Sequence, residues 1–234
     1  MDHVELIDIG DALLSRAAPC IPCIPRILHL VWVGTAPQPD YVATYVAEWR
    51  ALMPAWQVRL WTNADITDAE FPPDIVAKVA ACTKGAQAAD ILRYFIIHKH
   101  GGVYLDTDVT PHRALDPIVD MGRPIVLCHD LALSWPYVIN GFFAAAPAHP
   151  LLDYACRLCA DATINTSDVH LHTGPRVLGE AVWRVKPEPT ELYVLLHAYY
   201  FYRNRVGDLA LDGVVRTTDV DTRFGTHFYA KSWT

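Results

Sequence analysis

No run of apolar residues in this sequence reaches the roughly 18 that a membrane-spanning helix needs. The nearest stretch, YVINGFFAAAPAHPLL at 137–152, is broken by two prolines. The basic start of a secretion signal is missing as well, and the chain opens on the acidic MDHVELIDIGDALL. A soluble, cytoplasmic protein with no integral membrane segment is the expectation. Positive charge is in short supply, with 19 Lys and Arg against 26 Asp and Glu and a net charge of −7. A general nucleic-acid binder needs the opposite balance, so no nucleic-acid partner is expected. GxGxxG, Walker A, GxSxG and HExxH patterns are also absent, which leaves dinucleotide, P-loop, hydrolase-elbow and zincin chemistry without support.

Cysteine is present but scattered: Cys20-x-x-Cys23, Cys82, Cys128 and Cys156-x-x-Cys159. Two CxxC pairs are one way to build a zinc site. Here Cys156 and Cys159 fall on the apolar face of a helical pattern, LLDYACRLCADA, and the first pair sits in a proline-rich lead-in. Buried thiols in a reducing compartment are the better reading. Asn165-Thr166-Ser167 has sequon form, and without a secretion signal it reads as a chance match.

What remains is an ordinary globular composition, 52% apolar and 19% charged over 234 residues. That length favours one domain, here 26–234, after a lead-in over 1–25. Apolar runs at 27–33 and 58–62 read as strands, and 39–53, 74–82 and 86–100 as helices. The last helix stops at Gly101-Gly102, a common helix end, and a short strand follows at 103–105. Further on, 124–128 and 138–145 look like strands, 151–162 and 175–185 like helices. This rhythm predicts an open α/β sheet, whose ligands sit outside the carboxyl ends of the strands. Trp32 and the pair Asp106 and Asp108 lie at two such ends.

The stretch GGVYLDTD at 101–108 carries the chemistry. Residues two apart on an extended backbone share a face, so Asp106 and Asp108 can aim at one point, as a hard divalent cation requires. Asp90 and Arg93 stand three apart in the otherwise apolar helix AADILRYFII and share a helical face. A helix ion pair accounts for them as well, although burying one in so apolar a helix is costly without ligands. An EF-hand is excluded because its sixth and twelfth positions are Pro111 and Pro117. DTDVT also fits the DxDxT of haloacid-dehalogenase-type phosphatases, with Asp208 and Asp212 as a downstream acidic pair and Asp106 as nucleophile. The third reading is a metal clamp on a nucleoside diphosphate. His170-x-His172 has the metal-ligand spacing of a strand but no third ligand nearby.

The larger pattern resembles a known family. IPRILHLVWVG at 24–34 and AADILRYFIIHKHGGVYLDTDV at 88–109 are followed in order by NGFFAAAPAHP at 140–150, Thr173-Gly174-Pro175, His227 and Ser232-Trp233. Together they are similar to the DXD-motif sugar-nucleotide glycosyltransferases of the family 32 type and to the glucosylating toxin catalytic domains. The resemblance implies a single-domain α/β fold of GT-A, Rossmann-like type. It further implies transfer of a sugar from a nucleotide donor to a glycan or other hydroxyl acceptor, with retained configuration and with Mn²⁺ or Mg²⁺ as cofactor.

By position, Val31 and Trp32 correspond to residues at the donor base, on which Trp32 would stack. Trp32 also suits a buried strand. Asp90 and Arg93 correspond to residues that hold the sugar hydroxyls and a phosphate, and Tyr104 packs beside the sugar or fills the sheet. Asn140 belongs to the donor-binding set. Asp106 would meet the ribose and the metal through water, Asp108 the metal directly, and His227 would add a further ligand. Ser232 and Trp233 would close on the diphosphate, and Asn63 is a lesser candidate for the base or ribose. A uridine donor is preferred, with GDP-mannose the alternative. Ala89, where the family often has serine, and the short second half depart from the pattern. An inactive sugar-nucleotide or glycan binder is the non-enzymatic alternative.

Overall fold

The computed structural model describes residues 24–129, 138–165, 168–187, 192–196 and 224–227. Its centre is β1 (Ile27–Val31), which lies parallel to β2 (Gln57–Trp61) on one side and to β3 (Gly102–Leu105) on the other. Beyond β3 come β6 (Val138–Ala145), β5 (Ile125–His129) and β7 (Leu192–Leu196), giving the order β2-β1-β3-β6-β5-β7. Only β6 runs against its neighbours, so the other five strands end at the same edge of the sheet.

Side-chain alternation sends residues to two cores. Leu28, Leu30, Val103, Leu105, Val126 and Cys128 face one side, where α1 (Asp40–Leu52) packs with Val42, Val46 and Trp49 and α4 (Asp116–Asp120) with Ile118 and Val119. Val31, Trp61, Tyr104, Ile125 and Leu127 face the other side, covered by α2 (Pro73–Ala80), α3 (Gly85–His100), α5 (Pro150–Asp161) and α7 (Pro175–Val185). Because both faces are covered, β3 and β5 are buried at every position instead of alternating. Several polar groups sit in this interior, His29 among them. His29 takes a hydrogen bond on Nδ1 from Trp61 Nε1 at 3.0 Å and sets Nε2 3.0 Å from the Gly101 carbonyl. Burial, with the charge of His100, pushes it down to about 3, so it stays neutral.

The chain turns from α3 into β3 through Gly101 and Gly102, with φ of 64° and 97°. A Cβ on Gly102 would stand 2.5 Å from the Ile27 carbonyl oxygen, so only glycine lets β3 close on β1. A separate ribbon pairs β4 (Val109–Pro111) with β8 (Gly225–His227). Among the described residues no helix is long and apolar enough to cross a membrane.

Most elements match expectation within two residues. The strand expected over 27–33 ends at Val31, and α7 has the expected bounds. The sequence reading missed β4, α4, β7 and β8, and the 170–172 segment is helical, as α6 (Val169–His172), instead of extended. The helical backbone there removes the strand-type spacing on which that metal reading rested. The lead-in lies almost wholly outside the described residues.

Candidate active site

The site is built where β3 runs out. Leu105 is its last residue, and the Asp106 amide donates to the Gly141 carbonyl at 2.9 Å across the start of β6. Thr107 and Asp108 then form a turn into β4. The two aspartates therefore converge through a strand end and a turn, not along the extended backbone that the sequence suggested. β4 is held by the Trp49 indole, which donates to the Val109 carbonyl at 3.3 Å. Its pairing with β8 sets Val109 opposite His227.

That register brings His227 Nε2 to 3.0 Å from Asp108 Oδ1 and 3.8 Å from Asp106 Oδ2. One ligand atom from each of Asp106, Asp108 and His227 can be chosen so that all lie within 4.8 Å of one another. Two carboxylates and an imidazole make a donor set suited to a first-row divalent ion such as Mn²⁺, and the carboxylates also suit Mg²⁺. Gly141 leaves the space beside them: a Cβ there would stand 2.6 Å from Asp106 Oδ2 and 3.7 Å from His227 Cε1. Burial draws His227 down, but the Asp108 hydrogen bond and the charges of both aspartates outweigh it and hold the group above its ordinary value. Burial outweighs Arg93 and His227 at Asp106, which is shifted up. These residues fit a bound cation, which would take over the neutralising work of the His227 proton.

Behind this corner lies a second, buried one on α3. Arg93 Nη2 pairs with Asp90 Oδ1 at 2.8 Å, and Nη1 lies 3.4 Å from Asp106 Oδ1 while donating to the Asn140 carbonyl at 2.7 Å. The guanidinium also lies over the Tyr104 ring, 4.4 Å from its centroid. Arg93 is thus the link between the two carboxylate corners. Asn140 Nδ2 donates to Asp90 Oδ1 at 2.8 Å, leaving Asp90 Oδ2 buried without a partner. Burial, aided by the charge of Asp106, pushes Asp90 up to about 7 against the pull of Arg93 and the Asn140 bond.

The remaining candidates divide. Tyr104 is a core residue, stacked on Phe143, with its hydroxyl at the site, where it donates to Asp106 Oδ1 at 2.9 Å. Trp32, at the end of β1, is half-buried against the core, and its Nε1 is buried with no partner. The Val31 side chain is packed in the core beside Trp61, which leaves only its main chain for a donor. Asn63 uses its amide on Gly34, accepting from N at 2.9 Å and donating to O at 2.8 Å, and so serves as a loop clamp. Ser232 and Trp233 lie outside the described residues, as do Cys20, Cys23, Asp208 and Asp212.

Cys156 and Cys159 are buried free thiols. Among the described residues, Asp106, Asp108 and His227 are the only His, Cys, Asp or Glu group close enough to hold a metal. The sequon's Asn165 takes bonds from Thr83 N and Oγ1 and donates to the Ala81 carbonyl, which is a structural role. Tyr94, whose hydroxyl joins the Asp90 corner, escaped the sequence reading because it looks like one more apolar position in α3. Gln87 is fully buried one turn before Asp90 and was also missed; a polar residue in so apolar a helix was the available signal.

Residues 39–123 match the family model described as glycosyltransferase sugar-binding region containing DXD motif. An uncharacterized glycosyltransferase of Acanthamoeba polyphaga mimivirus is 25% identical over 184 residues, 76% of this chain and 73% of that protein. Inositol phosphoceramide mannosyltransferase 3 of Schizosaccharomyces pombe is 28% identical over 173 residues. That match takes in 70% of this chain and 47% of the relative, so the chain spans about half of the yeast protein's length. Among solved structures, the PaToxG glycosyltransferase superposes with a TM-score of 0.56 at 17% identity, covering 70% of each chain, a likeness of fold. The matched region and the relatives make this chain similar to glycosyltransferases of the DXD-motif type, and its fold is that of the GT-A glycosyltransferases.

Proposed function

We propose that this chain moves a hexose from a nucleoside diphosphate sugar to a hydroxyl acceptor, with Mn²⁺ or Mg²⁺ held by Asp106, Asp108 and His227. The observation that carries the reading is the convergence of those three side chains from two distant segments beside a buried carboxylate with a free oxygen. When bound, the ion acts as a Lewis acid on the diphosphate leaving group. The chain's own residues do the rest. Asp90 Oδ2 accepts a hydrogen bond from a sugar hydroxyl, and Asn140 and Arg93 keep the carboxylate in place. Arg93 was expected at a phosphate; its contacts to Asp90, Asp106 and Asn140 support a role in fixing the two carboxylates from behind. Trp32 supplies a face for the base.

A uridine donor remains the preferred choice on the VWVG context. The mannosyltransferase named among the relatives keeps GDP-mannose in the panel, and its inositol phosphoceramide substrate supports a glycan or glycolipid hydroxyl as acceptor. Retention of configuration is expected, because the carboxylates of the site are already committed to metal and sugar and none is left as an opposite-face base. The test incubates UDP- and GDP-sugars with Mn²⁺ and reads hydrolysis and the anomer first formed by proton NMR. Metal-dependent release of an α product from an α donor supports the reading. A β product removes retention, and a trapped phospho-enzyme on Asp106 would replace the transferase with a phosphatase.

A further inference from the structure

Tyr94 stands one turn after Asp90 on α3, fully buried, its ring stacked on Phe143 with 5.8 Å between centroids. Its hydroxyl donates to the Gly174 carbonyl at 3.0 Å, just before α7 begins. A phenol has one hydrogen to give, so that bond leaves only its lone pairs for Asn140. Asn140 Nδ2, at 3.3 Å, donates to it, and the same nitrogen donates to Asp90 Oδ1 at 2.8 Å. Both amide hydrogens are thus spent, one on the phenol and one on the carboxylate. The result is a continuous chain from the main chain of the 173–175 turn to Asp90. Asn140 is buried, and the phenol oxygen holds the second of its amide hydrogens and so helps to fix its orientation.

We infer that Tyr94 is a positioning residue for donor-sugar recognition: by locking Asn140 it holds Asp90 with Oδ1 committed and Oδ2 open to a sugar hydroxyl. The inference rests on the transferase reading above. Tyr94 touches neither base nor diphosphate in this account, so it should affect the sugar and leave the nucleotide alone. Nothing in the spacing of α3 distinguishes it from its apolar neighbours; the bond to Gly174 does.

The experiment compares wild type, Tyr94→Phe, Asp90→Asn and the double variant. It measures the KM of UDP-glucose and GDP-mannose with Mn²⁺, inhibition by UDP and GDP, and Tm. Tyr94→Phe should raise the sugar-nucleotide KM about tenfold, the loss of one buried hydrogen bond, and leave inhibition by the free nucleotide within about twofold. It will also lower Tm, because the Gly174 carbonyl loses its donor. The double variant keeps the result interpretable. If Tyr94 acts through Asp90, removing its hydroxyl in the Asp90→Asn background changes KM no further. Equal shifts for sugar nucleotide and free nucleotide, a change in Tm alone, or full additivity in the double variant would each overturn the inference. A wild type that turns over neither sugar nucleotide removes the transferase reading and this inference with it. A wild type that turns one over, with Tyr94→Phe unchanged, removes this inference alone.

Discussion

The two carboxylate corners of the site share Arg93 and differ in almost everything else. At the outer corner Asp106 is 27% exposed and Asp108 15%, and their neutralising partner is an imidazole carried in on a three-residue strand. At the inner corner Asp90 has no exposed surface, and its ion-pair and hydrogen-bond partners come from α3 and the start of β6. An ion needs charged ligands that can be reached and that shed their protons when it arrives. A neutral polyol needs the reverse, a few hydrogen-bonding groups already fixed in a dry place. The contrast explains why one protein keeps two acidic groups within reach of one arginine without merging them.

The largest expected effect falls on the outer corner. Asp108→Asn should remove metal-dependent turnover by more than about a hundredfold while the fold stays intact, since a direct ligand matters more than the supporting shell, worth about 10–100-fold. Turnover and Tm measured together check this. A variant that keeps both its activity and its sensitivity to EDTA would mean that the outer corner holds no ion.

Asp90→Asn should come next and separate the corners cleanly. Hydrogen bonds to charged groups are worth about 1.5–3 kcal/mol. The affinity for the sugar nucleotide should therefore fall about 10- to 150-fold, and that for the free nucleotide should hold. The same variant carries a pH signature. The folded protein keeps the Asp90 proton up to about 7, whereas the unfolded chain releases it near 3.8. Folding takes up a proton between those limits, so this contribution to stability is lost as pH rises through about 7. Urea unfolding from pH 5 to 8 should show wild type losing stability relative to Asp90→Asn; a flat difference would mean the inner corner is charged throughout.

Gly141→Ala is the smallest change and blurs the comparison on purpose. Its methyl would press on Asp106 Oδ2 without touching Asp90. Metal affinity should drop by about tenfold, within the range for groups that support a ligand, while recognition of the sugar moves little. Isothermal titration with Mn²⁺ reads the first quantity and nucleotide-sugar competition the second.

How much of this was legible beforehand follows from the distance over which each feature is set. The three-residue spacing of Asp90 and Arg93 and the closeness of Asp106 to Asp108 are local facts, and both survive in the structure. His227 was singled out by its place in an ordered set of motifs; its contact with Asp108 depends on the β4–β8 pairing. β4 was missed because three residues carry no periodicity. β7 was missed because its tyrosine-rich surroundings after Pro187 show no clear alternation. Asn63 shows a different limit: in sequence an amide at a strand end looks the same whether or not it also clamps Gly34. Tyr94 and Asn140 acquire their joint role only when α3, β6 and the 173–175 turn meet.

The most direct test of the account is a thermal-shift titration of the wild-type chain with a sugar nucleotide, run with Mn²⁺ and again with EDTA. A donor at about a hundred times its Kd should add about 2.7 kcal/mol of stability in Mn²⁺. That gain should vanish in EDTA and in Asp108→Asn. Equal stabilisation in all three conditions would contradict a metal-held diphosphate at Asp106, Asp108 and His227.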